Sequence, residues 1–378
     1  MARMQDVLDR AVAAQDVPFA VAMTGNAKGI TWSGAAGESA GRKAGEETAF
    51  RIFSMTKAIG SLAAMILIDR GKMRMDTPVA DVLPEWNDIR VVDGWDGDKP
   101  RLRKPKTVAT ARHLATHTSG MEYEFWNADV PKYMEATGHP TVLSGLKSAL
   151  MYPLTTDPGT RWGYGPGIDW LGRMVEEVSG QRIDAFCREN IFDPLGMKDT
   201  AFEPDALADR LAAVSIRGED GTFAPFDLAP PPHPEVYGMG HALYSTAPDY
   251  MRFLRMVLHK GQLDGARILS EEACTQMCAD QMQGLTFRKM VTVVPPITAD
   301  VELPEGTTHS FAFVRTEADI PGKRRAGALS WAGVCNTHYW IDPASDVCAV
   351  IMTQSLPFVE PRFLQTYDAY ERAVYAGL

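Results

Sequence analysis

The segments with strand character lie at the two ends of the chain, and this arrangement most restricts what it can fold into. VPFAVAMTG (Val17–Gly25) and KGITWSGAAG (Lys28–Gly37) read as a hairpin about Gly25 and Asn26. AGALSWAG, NTHYWID and VCAVIMTQS, between Ala326 and Ser355, read as a three-strand meander. Between the two lies no regular strand–helix–strand succession, so a doubly wound parallel sheet is the poorer solution. An antiparallel sheet built from both chain ends, with helices flanking it, is expected: an α+β fold of the two-layer α/β kind.

The middle of the chain supplies the helices. From about Ser54 to Arg70, stopped by Gly71, apolar residues surround the helix: Ile59, Leu62, Ala63, Met65, Ile66 and Leu67 leave little polar face. Such a helix belongs in the interior. From Asp76 to Pro204 the stretches TARHLATHTSG, GIDWLGRMVEEVSG and RIDAFCRENIF predict an inserted all-helical domain, 76–204, between sheet-domain segments 1–75 and 205–378. Further helices are expected over the amphipathic start MARMQDVLDRAVAAQDV, over Ala247–His259 and over Phe363–Tyr375, with alternation at LAAVSIR and TFAPFDL. No repeat period suggests a solenoid.

Composition narrows the partners. With 378 residues, 45% hydrophobic and 23% charged, the chain can bury a large core. A net charge of −10 opposes binding to a phosphate backbone. The densest basic run, KPRLRKPKT (Lys99–Thr107), is interrupted by prolines and reads as a solvated loop. No apolar run approaches the ~20 residues that span a bilayer, and the start lacks a signal-peptide pattern. Five scattered cysteines, Cys187, Cys274, Cys278, Cys335 and Cys348, form no disulfide framework and suit a reducing, cytoplasmic setting. A homo-oligomer is compatible with this sequence.

Three serines compete as nucleophile. GESAG (Gly37–Gly41) has the spacing of a nucleophile elbow, but only one hairpin precedes Ser39 and a charged loop, RKAGEET, follows it. FSMTK and LSGLK each offer a Ser-x-x-Lys pair, Ser54 with Lys57 and Ser144 with Lys147. Residues i and i+3 share a helix face, so the amine can sit beside the hydroxyl. Burial and the positive helix end both push such a lysine toward the neutral amine that can accept the serine proton. That chemistry needs a buried helix start, which Ser54 has and Ser144 lacks.

Taken together, FRIFSMTKAI, HLATHTSG, PGTRWGYGPGIDWLG, FDPLGM and GALSWAGVCNTHYWID resemble the serine β-lactamase and penicillin-binding protein superfamily, and within it the class C β-lactamase-like esterases called family VIII carboxylesterases. The similarity runs from about Ala49 to Pro357. It implies Ser54 as nucleophile, Lys57 as base or proton relay, and Tyr164 as second base and leaving-group acid. It also implies an oxyanion hole from the N–H groups of Ser54 and Val334, beside the triplet Trp331, Ala332 and Gly333. An adjacent ammonium from Lys57 would favour the Tyr164 phenolate.

Two departures bear on substrate. WAG stands where β-lactamases carry K-T-G, so the cation and hydroxyl that hold a substrate carboxylate are gone, which points to neutral esters. Pro166 stands where an Asn or Ser would ordinarily offer a polar side chain. Tyr123, Phe125 and Trp126, just after HTSG, are expected to line an acyl or alcohol pocket, or else an interface core. His113 and His117 have helical i, i+4 spacing but neither the glutamate of H-E-x-x-H nor a third ligand, and Cys274 with Cys278 suits core packing. No metal or other cofactor is expected. The expectation is a serine carboxylesterase for small, short-acyl esters. The rivals are a β-lactamase, a D-amino-acid peptidase or amidase, an acyltransferase using the same acyl-enzyme, and a non-catalytic binding relative of the fold.

Overall fold

The computed structural model describes residues 2–378; Met1, at the head of the first expected helix, lies outside them. Phe19–Gly25 is the pivot of an eight-stranded sheet, pairing antiparallel with Ile30–Ser39 on one side and Val347–Met352 on the other. Thr337–Asp342 and Leu329–Gly333 continue it outward as the expected meander. Short edge strands, Thr308–His309, Val314–Arg315 and Arg42–Lys43, finish it; they are too brief to leave an alternation pattern in the sequence.

The central strands are buried at every position because both faces are covered. Val21 and Met23 point with Val350 and Met352 into the main core, around the central helix and Ala247–Leu258. Ala20 and Ala22 point the other way with Ala349 and Ile351, under the terminal helices Ala2–Ala13 and Pro361–Tyr375. The strand period of two thus serves two cores at once. The two-layer expectation gains a second helical layer. The central helix runs Thr56–Asp69 and is buried from Thr56 to Leu67, as its all-round apolarity requires. No helix among the described residues is long and apolar enough to cross a membrane.

Three expectations are corrected. The 76–204 segment is not all-helical: Val91–Asp96 and Lys99–Arg103 form a hairpin over a two-residue turn, with Gly97 at φ +60 in its first position. Half of KPRLRKPKT is therefore strand rather than loop; its prolines and charges are tolerated because the hairpin is an isolated two-stranded ribbon with mostly exposed side chains. His113 and His117 are not a helical pair either. That helix ends at Ala115, and His117 takes φ +59. Ser215–Arg217 and Phe223–Pro225 do pair with each other, but in a separate small sheet with Ser355–Leu356.

Candidate active site

One short ladder outside the main sheet positions Ser54. Ala49–Arg51 pairs antiparallel with Tyr244–Thr246, and the Ile52 N–H extends the pairing to the Leu243 carbonyl at 3.1 Å. The chain then turns sharply through Phe53–Met55, with Phe53 at φ +40, before the central helix begins. A bulky residue in the left-handed region costs ~1–3 kcal/mol and persists only where its surroundings enforce it. Here the Tyr250 hydroxyl donates to the Met55 carbonyl at 2.9 Å, and the Leu243 N–H donates to Thr56 Oγ1 at 3.1 Å.

Lys57 lies one helical turn beyond Ser54 and is buried. Its Nζ donates to Ser54 Oγ at 3.0 Å, to Tyr123 Oη at 3.1 Å and to the Gly240 carbonyl at 2.8 Å. All three ammonium hydrogens have acceptors, yet no carboxylate is among them. Burial accordingly pushes the lysine from its ordinary 10.5 down to about 7, against the pull of Asp169. The Nζ also lies 4.9 Å from the Tyr164 ring centroid and 5.0 Å from that of Tyr123.

Tyr164 enters from the loop before helix Gly167–Ser179. Its oxygen accepts from Trp331 Nε1 at 2.9 Å, its ring lies 5.0 Å from the Trp331 ring, and the buried His117 imidazole packs with its centroid 4.7 Å from that of the phenol. Burial raises this phenol, and hydrogen bonds with Ser54 and Trp331 offset only part of the rise. The phenol is thus held protonated, contrary to the expectation that the lysine would favour its phenolate. Lys57 meets its ring face instead, and the phenol oxygen bonded to the lysine is that of Tyr123, itself raised by burial.

Ser54, Tyr164, Tyr123, Phe125, Trp126, Trp331, Ala332 and Val334 all line one cleft of about 980 Å³, part of it open to solvent. Gly333 does not line it but makes it possible: a Cβ there would sit 2.3 Å from the Ile52 carbonyl oxygen and 2.4 Å from Thr337 Oγ1. Phe53, Val142, Leu228, Ile297 and Phe358 complete the apolar wall. The wall carries no arginine or lysine among the described residues. Its one carboxylate, Glu124, is occupied by the hydroxyls of Thr141 and Tyr152, each at 2.9 Å.

The competing serines are elsewhere. Ser39 Oγ accepts from the Ala213 N–H at 3.0 Å, at a strand end. Ser144 and Lys147 fall in separate 3₁₀ turns divided by Gly145 at φ +70, and Lys147 faces Glu85. Sequence reasoning missed Asp169, Gly240 and His241, which gather around the lysine. The available signal was Asp169 itself, a lone charge in the otherwise apolar start of GIDWLG.

The chain is 30% identical over 346 residues to monacolin J acid methylbutanoyltransferase of Aspergillus terreus, covering 87% of this chain and 82% of that protein. It is 28% identical over 319 residues to lovastatin esterase of Penicillium rubens, covering 80% and 78%. The solved structure of unliganded simvastatin synthase (LovD) from Aspergillus terreus superimposes with a TM-score of 0.85 at 26% identity, over 99% of this chain and 97% of that one. The beta-lactamase family model matches residues 4–373, and the chain belongs to that family.

Proposed function

We propose that the protein is a serine esterase of the family VIII carboxylesterase type, working through an acyl-enzyme on Ser54. The observation that carries this reading is the 3.0 Å contact between Ser54 Oγ and the amine of Lys57, a group that burial leaves about half neutral at pH 7. In acylation, Ser54 Oγ attacks the ester carbonyl while neutral Lys57 takes its proton. The backbone N–H groups of Ser54 and Val334 hold the oxyanion. On collapse the Tyr164 phenol gives its proton to the departing alkoxide and recovers one from the lysine ammonium. Water then attacks the acyl carbon by the same route reversed. The Trp331 indole holds Tyr164 in place.

A wall without cations favours neutral esters over anionic β-lactams, and Tyr123, Phe125 and Trp126 serve as its acyl or alcohol pocket. Short-acyl esters are the expected substrates. All five cysteines are free, in keeping with a cytoplasmic enzyme. A second reading, transfer of the acyl group to an alcohol rather than to water, is supported by the acyltransferase among the relatives. The test is turnover of p-nitrophenyl butyrate. Ser54→Ala abolishes it and Ser39→Ala and Ser144→Ala retain it; the reverse would falsify the assignment. Ester product formed with added alcohol acceptors measures the partition between water and alcohol.

A further inference from the structure

Asp169 is fully buried in the first turn of helix Gly167–Ser179, and no arginine or lysine among the described residues is bonded to it. One carboxylate oxygen accepts from the Gly240 N–H at 2.6 Å. The other has no hydrogen-bond partner among the described residues, and neither has the buried Nδ1 of His241, 3.9 Å from the first oxygen. The helix N-terminus favours a negative charge there. Even so, a carboxylate so poorly paired costs stability, which makes a role beyond packing the better account.

Its single bond leads straight to the catalytic centre. Gly240 donates to Asp169 through its N–H and, in the next peptide group beyond its Cα, accepts from Lys57 through its carbonyl at 2.8 Å. A Cβ on Gly240 would lie 3.0 Å from Asp169 Oδ1 and 3.0 Å from Tyr123 Oη, so both side chains pack against this glycine. We propose that Asp169 is a positioning residue for the Ser54 centre: by anchoring the backbone of Gly240 it fixes the Lys57 amine, and it supplies the negative charge that faces that amine. This inference rests on the acyl-enzyme reading above.

The groups facing Lys57 are Ser54, Tyr123 and Tyr164, the two imidazoles of His117 and His241, and Asp169. Burial pushes both imidazoles down, toward the neutral form. Asp169 is therefore the one formal negative charge in the set. It opposes desolvation and keeps the amine basic enough to take a proton at neutral pH.

The test compares Asp169→Asn, which keeps an oxygen for Gly240 but removes the charge, with Asp169→Ala, which removes both. In Asp169→Asn the acid limb of kcat/KM for p-nitrophenyl butyrate moves down by about one pH unit, because the amine without its counter-charge releases its proton more readily. Asp169→Ala adds a fall in kcat of about tenfold or more at unchanged KM, as expected when a base loses its position. An acid limb in Asp169→Asn that superimposes on the unaltered enzyme's overturns the proposal. Should neither variant fold, Gly240→Ala asks the same question: kcat falls with KM retained, whereas an unaltered kcat overturns it. Labelling of Ser54 by a fluorophosphonate reads the underlying reaction separately. An unlabelled Ser54 in the unaltered enzyme sinks the acyl-enzyme reading and this proposal with it; a labelled one with an unmoved limb sinks this proposal alone.

Discussion

Replacing Lys57 by methionine keeps roughly the side chain's length and removes its charge. In the folded protein burial lowers the lysine from 10.5 to about 7, so between those values the unfolded chain binds the proton that the folded one releases. The cost of the buried amine is therefore largest below pH 7 and fades as pH rises toward 10.5. At about 1.4 kcal/mol per tenfold it amounts to ~4–5 kcal/mol at pH 7 and little more than ~1 kcal/mol at pH 9.5. Methionine has no such dependence. It leaves the Gly240 carbonyl and the Tyr123 hydroxyl without a donor, an offset of ~1–3 kcal/mol each that does not vary with pH. The informative quantity is thus the slope. Between pH 7 and pH 9.5 the unaltered enzyme gains about 3 kcal/mol relative to Lys57→Met, a shift on the order of 1 M in the relative urea midpoints. Urea unfolding followed by fluorescence at the two pH values measures it. Midpoints that move in parallel for both proteins would show that burial does not depress this lysine, and the base assigned in acylation would have to be another group.

Gly333→Ala forces a methyl group against the Ile52 carbonyl and Thr337 Oγ1, an overpacking that costs ~1–3 kcal/mol and moves the backbone on either side of the cleft. Thermal melting records the loss of stability, and kcat on p-nitrophenyl butyrate falls about tenfold or more as Val334 N–H and Ser54 lose alignment. Phe125→Ala widens the apolar wall, so kcat/KM for octanoyl relative to acetyl esters rises; a change confined to melting temperature would assign Phe125 to packing alone.

The parts of this molecule legible in the sequence are those encoded over short distances. The meander and the hairpin announce themselves by β-rich runs, and the central helix by apolarity on every side. The Ser54–Lys57 contact follows from i, i+3 spacing at a buried helix start. What escaped is set by long-range packing. Nothing near Tyr123 in the sequence says that its hydroxyl meets a lysine 66 positions earlier, and nothing near Gly240 says that its carbonyl meets the same lysine 183 positions earlier. The direction of the Tyr164 shift was misjudged for a related reason. Proximity of an ammonium was foreseeable, but the burial that raises the phenol comes from the rings of His117, Tyr123, Trp162 and Trp331 packed around it. The Val91–Arg103 hairpin was hidden because its residues are mostly polar and exposed, leaving only Gly97 to signal the turn.

The ladder that joins Ala49–Arg51 to Tyr244–Thr246 has a consequence for how such a chain emerges from the ribosome. Ser54 precedes the segments that complete its surroundings: its amine neighbour is fastened by residue 240, and its cleft is lined by residues 331, 332, 334 and 358. A nascent polypeptide paused anywhere before those positions holds an ordinary serine next to a solvated, fully protonated lysine. The proposed acyl chemistry is thereby withheld until the Gly240, Trp331–Val334 and Phe358 segments have joined the fold.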